Sequence, residues 1–289
     1  MLRWRLLLGF LAVGFLIGLI RLEQRTEYPG LYLFPVFMLF AVMAADETLG
    51  LLSLAKITPS RILAWAGCPL LVASAWALEV LGFLHMPKPP MGGFGPLLLS
   101  LAILEFIAFF SETQRFERPG GSVSRLAGTT LAFVYVGVMG GILFRLRIDF
   151  GVAAFVSLFV VAKMGDIGAY TIGRIFGRRK MAPKLSPGKT MEGAAGAVVC
   201  GLLGAGIMAA WLAPILQEPE AVAWPWWRWL IYGLIISVAG MIADLSESLL
   251  KREAGSKDSS TWLPGFGGVL DLLDSLLLTA PVAYLCWMV

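Results

Sequence analysis

The chain has 289 residues, of which 58% are hydrophobic and only 15% charged, with a mean hydropathy of +0.80 and a formal net charge of +4. Soluble domains average roughly 45–50% apolar and about 25% charged residues, so a soluble enzyme, a disordered linker and a secreted disulfide scaffold are excluded. The composition reads as an all-α polytopic membrane protein, and Cys68, Cys200 and Cys286 lie inside apolar runs without the spacing of a bridge framework or a zinc site.

A bilayer core about 30 Å thick takes roughly 20 apolar residues of helix to cross, and on that measure the sequence predicts about nine spans. The first lies near Leu6–Ile20, behind Arg3 and Arg5; no small-residue cleavage site follows it and charged Arg21–Arg25 comes next, so it reads as an anchor rather than a leader. The others lie near Leu31–Ala45, Ile62–Leu84, Phe94–Phe110, Leu126–Phe144, Phe150–Ile172, Gly193–Leu216, Trp226–Ala243 and Gly267–Val289. Glu79 and Glu105, inside spans three and four, are expected to snorkel or to hydrogen-bond to neighbouring helices. Trp224, Trp226, Trp227 and Trp229 beside Arg228 read as an interfacial belt at the start of span eight.

Basic residues collect in alternate loops: 16 fall with the N-terminus and every second loop, against 6 on the opposite side. Cytoplasmic loops are the ones enriched in Lys and Arg, which predicts a cytoplasmic N-terminus and a C-terminus on the other face. The chain is expected to divide into an N-terminal transmembrane part over residues 1–150, with about five spans, and a C-terminal catalytic part over 151–289, with about four spans and cytoplasmic loops.

Charge within an apolar chain is costly, so its concentrations mark the chemistry. One segment runs from Lys163 and Asp166 through Arg174 and Arg178–Lys180 to Ser186, Lys189, Thr190 and Glu192. The other runs from Asp244 through Glu247, Ser248, Lys251, Arg252, Lys257 and Asp258 to Gly267, Gly268, Asp271 and Asp274. Both fall on the predicted cytoplasmic side. Asp244 closes span eight while Asp271 and Asp274 share a face at the start of span nine, and carboxylates converging at a membrane boundary suit Mg²⁺ or Mn²⁺. For a single aspartate the alternatives are a turn cap, for Asp258, or a pair with a nearby lysine or arginine, for Asp274.

Asp244, Ser248 and Lys251 follow at helical steps, and Lys189 and Lys257 come from the flanking loops. Such a set neutralises a polyanion, and the glycines near Gly267 and Gly268 let backbone N–H groups approach phosphate oxygens. The positive-inside bias alone accounts for Arg178–Lys180. Lys163 and Asp166, three apart, are expected to pair with each other, although with Glu79 and Glu105 they also leave a transporter path as a rival reading.

The stretch Ser248-Leu249-Leu250-Lys251-Arg252, Lys257-Asp258-Ser259-Ser260, Leu263-Pro264-Gly265, Gly267 to Asp271 and Asp274-Ser275 resembles the signature of the CDP-diacylglycerol synthase (phosphatidate cytidylyltransferase) family. Asp166, Ala169-Tyr170, Gly173-Arg174 and Ser186-Pro187 through Lys189-Thr190 to Glu192-Gly193 look like that family's other landmark. The resemblance implies transfer of the cytidylyl group of CTP to phosphatidate with one or two Mg²⁺ ions, in a bacterial-type inner membrane, with no nucleic-acid partner and a homodimer as a family expectation. It places Asp244 and Asp271 on the metal-binding aspartates. Lys189, Lys251, Lys257 and Asp258 take catalytic roles, while Asp166, Ser186, Thr190, Ser248, Arg252, Gly267 and Gly268 take substrate contacts.

Three positions depart from the pattern. Phe266 stands where the family has His, Leu272 where it has Arg, and Gly165 where Asn is common. An active synthase remains the favoured reading, with a catalytically silent paralogue as the alternative that Phe266 and Leu272 leave open. The only histidine, His85, falls on the predicted opposite face.

Overall fold

The computed structural model describes residues 14–23, 25–26, 28–83, 92–117, 119–216, 223–260, 262 and 267–289. Most of the first predicted span, together with His85 and Phe266, lies outside the described residues. Among the described residues six helices are long and apolar enough to cross a membrane: Phe34–Leu54, Gly95–Gln114, Ser122–Phe176, Met191–Leu216, Trp226–Glu253 and Val269–Met288. Arg61–Ala75 is a shorter apolar helix. The architecture is that of an all-α membrane protein with one small two-stranded hairpin.

Several boundaries differ from those read off the apolar runs. The second span, expected to stop at Ala45, starts instead at Phe34 and continues to Leu54, carrying Asp46 and Glu47 inside the helix. It can do so because both carboxylates find donors: Trp65 Nε1 lies 3.1 Å from Asp46 Oδ1, and Glu47 is the centre of the network described below. The eighth span, expected to end at Ala243, runs on to Glu253. The third is interrupted at Trp76, between Arg61–Ala75 and Ala77–Phe83. Spans five and six belong to one helical stretch of 55 residues. At 1.5 Å per residue such a stretch is about 80 Å long, more than twice a bilayer core. Gly151 breaks it, with φ of 83° and ψ of −176°, a combination that residues with a Cβ rarely adopt.

By packing, the chain forms two compact units, Met1–Ile148 with Glu253–Leu273, and Asp149–Arg252 with Asp274–Val289. In the first, helix Phe34–Leu54 pairs with Arg61–Ala75, and Phe133 fills the space left by Gly67. A buried carboxylate opens the Phe34 helix. Glu23 accepts from the N–H groups of Gly30 (2.8 Å), Tyr32 (2.7 Å) and Leu33 (3.1 Å) and is met by Arg147 at 3.1 Å. These N–H groups belong to the turn that leads into the helix and have no helical partner, so the carboxylate satisfies donors that lipid cannot. Glu79 lies 3.8 Å from Arg145, and Glu105 accepts from Thr130 at 2.9 Å, so both acidic side chains expected at membrane depth have polar partners.

In the second unit small residues bring helices together, as is usual where apolar burial against lipid supplies no driving force. Gly168 packs on Gly196 and Cys200, and Gly204 on Met164, between the segment after Gly151 and helix Met191–Leu216. Gly201 against Ser237 and Gly233 against Ala205 join that helix to Trp226–Glu253. The tryptophan belt is split: Trp226 and Trp227 are exposed, whereas Trp229 is buried with Trp224, Tyr232 and Trp287.

Candidate active site

The hairpin that joins Phe176 to helix Met191–Leu216 was not foreseen from the sequence. Lys180–Ala182 and Ser186–Thr190 pair antiparallel, with Lys180 opposite Thr190. Two contacts fix its exit: Thr190 Oγ1 accepts from the Gly193 N–H at 3.1 Å as an N-cap, and Glu192 accepts from the backbone of Arg178 and Arg179. Ser186, Lys189 and Thr190 thus sit on one ordered strand. Arg252 donates to the Leu185 carbonyl at 3.2 Å.

Lys189 ends in the second unit's acidic cluster. Asp244, Glu247 and Asp274 each place a carboxylate oxygen within 4.8 Å of the others. Asp244 and Glu247 share a helix face because they are three residues apart, and Asp274 comes from helix Val269–Met288. Each carboxylate is met by a different lysine: Lys189 lies 2.7 Å from Asp244, Lys251 2.5 Å from Glu247, and Lys163 3.7 Å from Asp274. Lys163 also reaches Asp166 at 3.1 Å and Ser275 at 2.9 Å, which bears out the expected Lys163–Asp166 pair and the expected partner for Asp274.

The Glu247 side chain is fully buried. The Lys189 ammonium is shielded from solvent and, among the described residues, no acceptor is aligned to hydrogen-bond with it, so its contact with Asp244 is held by charge. Three hard oxygen donors at this spacing fit a divalent cation of the Mg²⁺ or Mn²⁺ kind. The three lysines in turn supply donors suited to phosphate.

The middle of the signature segment, Lys257 to Asp271, lies in the first unit. Asp271 Oδ2 accepts from the Ser259 N–H (2.9 Å), the Ser259 hydroxyl (2.7 Å) and the Gly268 N–H (2.8 Å). Gly267 has a φ of +88°, and a Cβ there would run into the Asp271 carboxylate, so glycine is required on both counts. Lys257 and Asp258 are exposed, with the Ser256 hydroxyl donating to the Asp258 carbonyl at 2.8 Å. Ser248 is half-buried on helix Trp226–Glu253, one residue past Glu247.

Of the expected site residues, the structure therefore gathers Asp166, Lys189, Asp244 and Lys251 in the second unit's cluster. It orders Ser186 and Thr190 on the strand beside Lys189, and Gly267, Gly268 and Asp271 in the signature segment of the first unit. Glu247 and Asp274 were not singled out as metal ligands, although Glu247 sits one helical step from Asp244. Glu47 was missed altogether.

A polytopic helical protein with carboxylates and lysines gathered in one cluster is of a class suited to phosphate-group chemistry at a membrane. Residues 3–289 match the sequence profile of the Cytidylyltransferase family, and the chain belongs to that family. It is 35% identical over 190 residues to the phosphatidate cytidylyltransferase of Bacillus subtilis, a match covering 65% of each chain. It is 42% identical over 143 residues to that of Brucella suis, covering 47% of each. The protein YnbB of Escherichia coli is 39% identical over 138 residues, covering 48% of this chain and 43% of its own. These matches span between about two fifths and just under two thirds of the relatives' lengths.

Proposed function

We propose that this integral membrane protein transfers the cytidylyl group of CTP to phosphatidate, giving CDP-diacylglycerol and pyrophosphate. Two relatives named phosphatidate cytidylyltransferase support the substrates. The observation that carries the reading is the cluster of Asp244, Glu247 and Asp274 interleaved with Lys163, Lys189 and Lys251, in a member of a cytidylyltransferase family.

Asp244, Glu247 and Asp274 are the residues that would hold Mg²⁺. When bound, such an ion withdraws charge from phosphate oxygens and stabilises departing pyrophosphate. Lys189 and Lys251 turn from carboxylate to triphosphate oxygens as CTP arrives. Ser186, Thr190 and Asp166 shape the pocket beside them, with Ser248 and Arg252 following on the helix face. The signature match supports roles for Lys257 and Asp258 in catalysis, for the Gly267 and Gly268 backbone N–H groups toward phosphate, and for Asp271 as a metal ligand.

A phosphatidate oxygen forms a bond to the α-phosphorus of CTP while the bond from that phosphorus to the pyrophosphate oxygen breaks. The attacking phosphate monoester has a second pKa of about 6 and is ionised at neutral pH, so no general base is needed. Phe266 in place of His is therefore compatible with turnover. Electrostatic stabilisation by preorganised lysines is the main demand of such a transfer. The positive-inside pattern supports a cytoplasmic N-terminus, a C-terminus on the opposite face and a cytoplasmic active site. Purified protein given α-³²P-CTP and phosphatidate should label lipid in a Mg²⁺-dependent way; label entering lipid only from γ-³²P-CTP would mean a lipid kinase instead.

A further inference from the structure

The geometry points to Glu47 as a positioning residue that holds the signature segment in its working conformation. Glu47 is more than 200 residues from that segment in sequence and is 5% exposed. Among the described residues, four donor groups lie within hydrogen-bond distance of its carboxylate, all from the segment. The N–H groups of Val269 and Leu270 donate at 2.8 and 2.7 Å, opening helix Val269–Met288, and the hydroxyls of Ser259 and Ser260 donate at 2.8 and 3.0 Å.

Glu47 thus ties the residues just after Asp258 to those just before Asp271. Ser259 links the two acids, since its hydroxyl lies 2.8 Å from Glu47 Oε2 and 2.7 Å from Asp271 Oδ2. One hydroxyl carries one proton, so it donates to one carboxylate at a time. Gly268 is needed for the approach: a Cβ there would strike Glu47 Oε2 and Ser259 Oγ. Glu23 uses a similar arrangement at the start of the Phe34 helix, but there the acceptor is tied to Arg147. Among the described residues the donors to Glu47 are uncharged, and they come from a segment that carries Lys257, Asp258 and Asp271.

The inference rests on the proposed activity for its kinetic reading but not for its structural one. Glu47→Gln keeps the shape of the side chain, yet it replaces one acceptor oxygen by an N–H₂ group facing donors. In detergent-purified protein with an unchanged unfolding temperature, trypsin should cut the variant after Lys257 about tenfold faster than wild type, relative to cleavage after Lys180, because two or more hydrogen bonds to a charged acceptor are lost. The value of kcat/KM for CTP should fall about tenfold or more, the ratio corresponding to ~1.4 kcal/mol, while KM for phosphatidate stays unchanged.

Ser259→Ala should change both readouts in the same direction by less, and the double variant should lose less than the product of the two. Should Glu47→Gln fail to fold, Ser259→Ala carries the test alone. Unchanged cleavage after Lys257 would overturn the inference. So would a loss in which both KM values and the unfolding temperature move together, which a purely structural role produces. If the wild type makes no CDP-diacylglycerol, the proposed activity fails, and the cleavage rates still decide the role of Glu47.

Discussion

Replacing Glu247 by Gln removes one negative charge from the cluster with little change of shape. An ion held among three carboxylate oxygens that lie within 4.8 Å of one another is no farther than that from Glu247, and even a unit positive charge at 4.8 Å attracts a carboxylate by ~3.5 kcal/mol at an effective dielectric of about 20. Solvent reaches part of the cluster, since the Asp244 side chain is 38% exposed, and this screening reduces the effect to about 2 kcal/mol. A divalent ion should therefore bind about thirtyfold more weakly to the variant, at roughly 1.4 kcal/mol per tenfold. Losing the Glu247 charge beside Lys251 acts in the same direction, because it leaves that ammonium's charge less balanced beside the ion. Calorimetric titration of detergent-purified protein with Mn²⁺ in the absence of nucleotide measures the difference directly, with thermal unfolding run alongside to establish that the variant folds. Binding within twofold of wild type in a folded Glu247→Gln protein would refute the assignment of this cluster as the cation site.

Other outcomes follow from the same arrangement. Asp244→Asn and Asp271→Asn should each lose turnover that saturating Mg²⁺ does not restore; near wild-type rates in either would remove that residue from the metal set. Reporter fusions placed after Pro90 and after Pro187 should report opposite faces of the membrane, and finding both in the cytoplasm would contradict the orientation.

Hydropathy made the transmembrane class legible because lipid demands long apolar helices whatever the tertiary contacts. It misplaced helix ends where an acid was taken as a stop. Asp46 and Glu47 ended the second predicted span, yet the helix passes through them to Leu54, because their donors come from Trp65 and from residues 259–270. No local signal near Glu47 reveals partners that distant. Gly151 was equally hidden, one glycine among 33, and only its backbone angles mark it as the break in the long helical stretch.

At the site, pairs at helical spacing were readable. Lys163 with Asp166 is one, and Asp244 with Lys251 on one face is another. What the spacing did not convey was that Asp274, carried by a separate helix, would join Glu247 beside Asp244, or that a hairpin would deliver Lys189 to the same cluster. Lys180–Thr190 is too short and too rich in charge and proline to announce strands.

The proposed reaction moves the cytidylyl group of CTP, α-phosphorus included, onto the phosphatidate headgroup. Purified protein in detergent, supplied with phosphatidate and with CTP labelled at either the α or the γ position, tests it most directly. The account predicts label in CDP-diacylglycerol from α-³²P-CTP alone, lost when divalent cations are chelated. Lipid left unlabelled by α-³²P-CTP in the presence of Mg²⁺ would contradict it.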